Sequence, residues 1–252
     1  MPAILSVTAD AAIDFARQLA TLLRDPLYEA IGVPAGDGSP VLLIPGYFAG
    51  DWLLQPLARW LKRAGYRPHL SGIDLNVGCP QDEIAVLDRR VVEIARESNR
   101  RVAIIGHSWG GIIARMIAIE HPERVSRVIA LGSPVRAGWV RDRWTGVNAQ
   151  VRPALHFSQS IWRRFYGKPA NCGTAECACG FRGAAFATVP PQTRFTAIYS
   201  RRDEMANWRD CADPAAANYE VGGLHVSLVV NRDVYRLLGG LLADRSADRA
   251  AA

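Results

Sequence analysis

The sequence predicts an α/β fold with a mostly parallel central sheet flanked by helices. Three observations carry this expectation. Short apolar runs stand at Val41–Ile44 and Val102–Ile105, and further strands are expected at Tyr66–Ser71, Val125–Leu131, Arg194–Ser200 and Tyr219–Val221. Several are rich in β-branched residues and bounded by charge, proline or glycine, as strands buried on both faces of a parallel sheet are. Helical spacing fills most of the gaps, and strands alternating with helices imply βαβ units with right-handed crossovers. The chain also has 252 residues, 49% hydrophobic and 21% charged, which suits one domain spanning 1–252 around a large core.

Each helix has its own signal. Ile13, Leu19, Leu22 and Leu23 predict a helix from about Ala11 to Arg24, outside the sheet and interrupted by Pro26. The proline- and glycine-rich stretch 34–40 reads as a loop. Asp51 is a good N-cap for a helix over Trp52–Arg63, whose apolar face is Leu53, Leu57, Trp60 and Leu61. Ile84, Leu87, Val91, Ile94 and Ala95 line one face of Asp82–Glu97. Ile112–Glu120 and Val226–Leu242 complete the set, with a frayed tail from Ala243.

Composition excludes several roles. The net charge is +6, and only Lys62 and Lys168 among the basic residues are not Arg. The arginines are scattered, without the basic stripe and interleaved aromatics of a nucleic-acid binder, so no nucleic-acid partner is expected. No apolar run approaches the ~18 residues that a membrane span needs. The stretch from Met1 to Leu19 lacks a basic leader and a cleavage site, so a cytoplasmic location is expected.

The chemistry centres on Gly106-His107-Ser108-Trp109-Gly110, which fits G-x-S-x-G and is followed by Gly111. Strand, sharp turn and helix form the context in which this motif is a nucleophile elbow. Glycine on either side lets strand and helix close around a strained serine, whose hydroxyl then stands in a cleft at a helix N-terminus. A serine that merely caps the helix is the competing reading of the same five residues. Upstream, Pro45–Asp51 is a second glycine-rich turn between strand and helix. Acyl transfer needs two backbone N–H groups aimed at the developing oxyanion. Tyr47 and Trp109 are the candidates, the latter being the residue after the serine.

A serine hydroxyl needs a base, and the base an orienting carboxylate. Of five histidines, His107 lies inside the elbow, pointing away from Ser108. His69 and His121 lie near element ends, and His156 falls in an irregular segment. His225 follows a late strand in the glycine-rich turn 222–225, where the carboxyl edge of a parallel sheet faces the cleft. Asp203 follows the preceding strand. Glu204 is the fallback acid, and Asp74 and Asp213 are weaker. The order Ser108, Asp203, His225 gives a candidate catalytic triad.

Between Ser133 and Arg194 the alternation breaks. The segment 134–193 reads as an inserted cap or lid, rich in aromatics and partly helical near Ser158–Tyr166. It is expected over the carboxyl edge of the sheet, covering Ser108, with Trp139, Phe157, Trp162 and Phe165 including pocket-lining residues. A packed extra layer without a role in access is the alternative. Cys172, Cys177, Cys179 and Cys211 could form two bridges, a zinc site or free buried thiols, while Cys79 stands apart.

The stretches LLIPGYFAGD (42–51), IIGHSWGG (104–111), IYSRRDEMANW (198–208) and GGLHVSLVVN (222–231) together resemble the α/β-hydrolase superfamily. Within it, the likeness is to bacterial lipase- and esterase-like serine hydrolases. Pro45-Gly46 stands where many lipases carry His-Gly, and 134–193 lies outside the resemblance. The resemblance implies hydrolysis through an acyl-enzyme and does not fix the substrate; a carboxylic ester is the leading reading, and the aromatic-rich segment 134–193 alone points to a small-molecule, apolar or lipid-like ester as partner. The resemblance implies no metal and no organic cofactor. The same triad serves acyl transfer and thioester hydrolysis, and a silent binding module of the same fold is a third reading. An intact Ser, Asp and His speak against the last.

Overall fold

β-branched and leucine-rich runs form the predicted sheet. The structure, a computed structural model, describes residues 2–77, 80–136, 139–140, 143–144, 148, 164–165 and 187–244. Strands β1 (Pro40–Ile44), β2 (Arg67–Leu70), β3 (Val102–His107) and β4 (Val125–Leu131) precede a hairpin of β5 (Trp139–Val140) and β6 (Arg143–Trp144). Strands β7 (Arg194–Tyr199) and β8 (Ala217–Glu220) follow. The main sheet has the order β2-β1-β3-β4-β7-β8, and every pair in it is parallel. All residues of β1, β3 and β4 are buried, whereas Arg67 and Glu220 on the edge strands face solvent. Polar edges discourage pairing with another chain.

Helices cover both faces. On one lie α1 (Pro2–Arg24), α2 (Gln55–Arg63) and α6 (Arg232–Ala243), and on the other α3 (Pro80–Ser98) and α4 (Trp109–Glu120). A four-residue helix, α5 (Trp208–Cys211), lies between β7 and β8. The period-two pleat sorts each strand between two cores. Val41, Leu43, Ala103, Ile105, Ile129 and Leu131 pack with Leu57, Trp60, Val234 and Leu238. Leu42, Ile44, Ile104, Val128 and Ala130 pack with Leu87, Val91, Ile94, Ile113 and Ile117. Trp60, buried between layers, satisfies its indole N–H on the Leu27 carbonyl at 2.8 Å.

Three local expectations are corrected. The first helix starts at Pro2, earlier than its apolar spacing indicated. Asp51 does not cap α2: a 3-10 turn, Asp51–Leu54, precedes that helix. Its carboxylate accepts instead from Ser71 and Gly72, whose N–H groups and hydroxyl outcompete the helix start. The last helix is broken at Asn231. Residues Val226–Val230 form a 3-10 turn, and Asn231 caps α6 by accepting from Asp233 and Val234. Among the described residues, no helix is long and apolar enough to cross a membrane.

Strand order sets the location of the site. From β1 the chain steps outward to β2, then returns to the other side of β1 with β3 and continues to β4. The crevice between β1 and β3 is therefore a topological switch point, where ligands of open α/β sheets bind at the strands' carboxyl ends. Register places Ile44 beside Gly106, so the turns that leave these two strands are level.

Candidate active site

Gly46 and Ser108 meet at that crevice. A Cβ on Gly46 would stand 2.9 Å from the Cβ of Ser108. Ser108 itself has φ 52 and ψ −119, a conformation that costs a non-glycine residue on the order of 1–3 kcal/mol. Close packing holds it there: its N–H donates to Leu131 and its carbonyl accepts from Gly111. A Cβ on Gly106 would fall 2.3 Å from the Gly110 carbonyl oxygen, so the strand and helix can approach this closely only without it. Ser108 occupies the N-cap position of α4, yet its side chain makes no capping bond. The capping alternative is therefore not what holds this serine, and the residue is half-buried rather than sealed.

Asp203 and His225 meet as the sequence anticipated. Asp203 Oδ2 lies 2.7 Å from His225 Nδ1, and both residues are buried. The other carboxylate oxygen of Asp203 accepts the N–H groups of Met205 and Ala206, at 2.9 and 2.7 Å. Gly132, with φ 55, makes room for the pair; a Cβ there would lie 3.1 Å from Asp203 Oδ2 and 3.4 Å from His225 Nδ1. Burial alone would lower the pKa of His225. The Asp203 charge and hydrogen bond, with the nearby Glu204, reverse this and raise it.

The remaining candidates have other places. Glu204 accepts the backbone N–H of His225 at 2.8 Å. Asp213 is buried and paired with Arg115 at 3.6 Å. His121 pairs with Asp88 and Glu123. His69 is half-buried on β2, and His156 lies outside the described residues. Cys211 is a buried free thiol, so the two-bridge arrangement that needs it is absent; Cys79, Cys172, Cys177 and Cys179 lie outside the described residues. Burial and the nearby Asp203 and Asp210 push the Cys211 thiol well up, away from its reactive form.

Residues outside the sequence-predicted site hold the turn that bears His225. Asp14 of α1 accepts the Leu224 N–H at 3.1 Å. Asn231 Nδ2 donates to the Gly222 carbonyl at 2.8 Å, and Ser200 Oγ to that of Gly223 at 2.7 Å. The ring of His107 lies against that of His225, with centroids 4.8 Å apart. An asparagine just before a helix was a readable signal. The long-range partners had none.

Most of 134–193 lies outside the described residues, including Phe157 and Trp162, and the cover over Ser108 stays an expectation. Asn148, which is described, donates its backbone N–H to Met205 and its side-chain amide to Asp203. Phe165 is 79% exposed.

A family profile described as "alpha/beta hydrolase fold" matches residues 88–172. The chain superposes on the mature lipase BlEst2 of Bacillus licheniformis with a TM-score of 0.55 at 16% identity, covering 84% of this chain and 95% of that one. A monoglyceride lipase of Saccharomyces cerevisiae gives 0.55 at 15% identity, covering 84% and 89%. The chain has the α/β-hydrolase fold. It is 30% identical over 119 residues to a pimeloyl-[acyl-carrier protein] methyl ester esterase of Aliivibrio salmonicida, 46% of this chain and 44% of that protein. It is 29% identical over 99 residues to an sn-1-specific diacylglycerol lipase, ABHD11, of Xenopus laevis, 37% and 32%. The matched part thus spans less than half the length of these curated relatives. Its similarity is to esterases and lipases.

Proposed function

We propose that this chain is a serine hydrolase of carboxylic esters that works through an acyl-enzyme. The observation that carries the reading is the 2.7 Å contact of His225 Nδ1 with Asp203, joined to a strained serine at the elbow one residue beyond His107. In this reading His225 takes the proton of Ser108 as its oxygen attacks the ester carbonyl. Asp203 fixes the imidazole tautomer and stabilises the imidazolium. The backbone N–H groups of Tyr47 and Trp109 receive the oxyanion, a role supported by the closeness of Gly46 to Ser108. His225 then protonates the leaving alcohol, and water, activated by the same base, releases the acid.

The substrate class is an apolar acyl ester. Relatives named for a methyl ester of an acyl chain and for diacylglycerol support this, as does the aromatic-rich segment 134–193. That segment is read as the cap, and the bonds of Asn148 to the turn after β7 favour its lying near the site. A panel of p-nitrophenyl esters of rising chain length, with one acyl-CoA, tests the reading. Turnover rising from acetate to medium-chain esters is expected. Turnover of the thioester alone would overturn it in favour of a thioesterase.

A further inference from the structure

His225 is held by its backbone as well as by its ring. It stands at the start of the 3-10 turn Val226–Val230, with φ −49 and ψ −59. Backbone N–H groups at such a start have no partner within the turn and must find one elsewhere. The N–H of His225 donates to Glu204 Oε2 at 2.8 Å. Its carbonyl lies 3.1 Å from His107 Nε2, closer than the 3.4 Å to the Leu228 N–H within the turn. A carbonyl can only accept, so this contact requires the proton on Nε2 of His107. Nδ1 is then a bare acceptor, buried without a partner among the described residues, and a Cβ on Gly46 would stand 3.0 Å from it.

We infer that His107 and Glu204 are positioning residues that grip the backbone of His225, one at its carbonyl and the other at its N–H. This rests on the triad reading above. The two grips come from the residue before the proposed nucleophile and the residue after the proposed acid. The three segments that bear Ser108, Asp203 and His225 are thereby tied to one another by side chains. Burial and the neighbouring His225 hold the His107 pKa down to about 3, so His107 remains a neutral donor throughout the working range. The groups facing His225 are Asp203 on its ring, Glu204 on its N–H and His107 on its carbonyl. Asp14, from α1, lies one peptide unit away on Leu224. After Asp203, Glu204 is the carboxylate that contributes to the raised pKa of His225.

Position and charge can be separated by substitution. Glu204→Gln keeps an oxygen for the His225 N–H and removes the charge. Glu204→Ala removes both. His107→Gln can present an amide N–H near the place of Nε2, whereas His107→Leu presents none. The experiment follows kcat, KM and the pH profile of p-nitrophenyl ester hydrolysis for the full chain and these variants, with Ser108→Ala beside them. Glu204→Gln is expected to retain most of kcat and to move the acid limb of kcat/KM to lower pH. Glu204→Ala is expected to lower kcat by on the order of tenfold to a hundredfold, the scale of a misplaced catalytic group, with KM little changed. His107→Gln should recover most of what His107→Leu loses. Should His107→Leu fail to fold, the Glu204 pair decides, because Glu204 lies on a loop and is part-exposed. Wild-type kcat and pH profile in Glu204→Ala would overturn the grip, as would equal losses in Gln and Ala at 204. Activity surviving in Ser108→Ala would overturn the hydrolase reading and the grip with it. Loss in Ser108→Ala beside an unchanged Glu204→Ala would overturn the grip alone.

Discussion

Gly110 in α4 packs against the carbonyl oxygen of Ile44 at the end of β1, so closely that a Cβ on Gly110 would stand 2.3 Å from it. The elbow helix and the upstream turn are thus locked together by the absence of one methyl group. The obstacles are backbone atoms of Ile44 and Pro45, which cannot rotate away as a side chain would.

Gly110→Ala is therefore expected to lower the unfolding free energy by about 3 kcal/mol, the upper range for overpacking a well-filled core. Gly240, exposed on α6 with nothing within 4 Å of an added Cβ, is the control. Gly240→Ala should raise stability by roughly 0.5–1 kcal/mol from helix propensity. Urea unfolding midpoints measure both. Equal midpoints for the two variants would contradict the packing described.

The acid limb of activity should report His225. The base works only when neutral, and its pKa is raised above the ordinary histidine value of 6.5. Activity is then full above that raised value and lost as pH falls through it. Asp203→Asn removes the charge that raises it, so the limb should move to lower pH while kcat drops by about 10⁴. A kcat/KM profile that is flat through the histidine range, or a limb that moves upward in Asp203→Asn, would contradict this. Glu204→Gln moving the limb without a comparable fall in kcat would confirm that Asp203, and not its neighbour, orients the ring.

Arg115 joins the two ends of the inserted segment to the elbow helix. Its guanidinium donates to the Val135 carbonyl at 2.6 Å and to that of Ala187 at 3.0 Å, and pairs with buried Asp213. Arg115→Met keeps much of the stem but leaves the Asp213 carboxylate without this partner. Breaking one side of a buried pair should cost about 3 kcal/mol. Chemical denaturation checks it, and a variant as stable as wild type would show that the pair contributes nothing net.

The fold was legible because its signals are local. Each fully buried strand appeared as an apolar run, and the pleat did not need to be known to see it. Ser108 and Trp109 are candidates through their adjacency in the motif. Asp203 and His225 were found by their position after successive strands, and the 2.7 Å contact joins them. Competing partners limited the rest. Asp51 had the chemistry of a cap, but Ser71, twenty residues on, supplied better donors. The grip of His107 on the His225 carbonyl spans 118 residues, and no spacing rule points to it. Asp14, an unremarkable acid on the first helix, reaches a turn 210 residues away. Such pairs exist only once the sheet order brings the segments together.

The central claim is that Ser108 is the nucleophile, and labelling by a fluorophosphonate tests it most directly. The reagent phosphonylates a serine only where a base activates it and an oxyanion site receives the P–O oxygen. Mass spectrometry of the digested adduct should place the modification on Ser108, with labelling lost in Ser108→Ala and strongly reduced in His225→Ala. Ester turnover in Ser108→Ala should fall by roughly 10⁶, the scale seen when a triad serine is removed. An adduct on another residue, or turnover in Ser108→Ala within tenfold of wild type, would contradict the account.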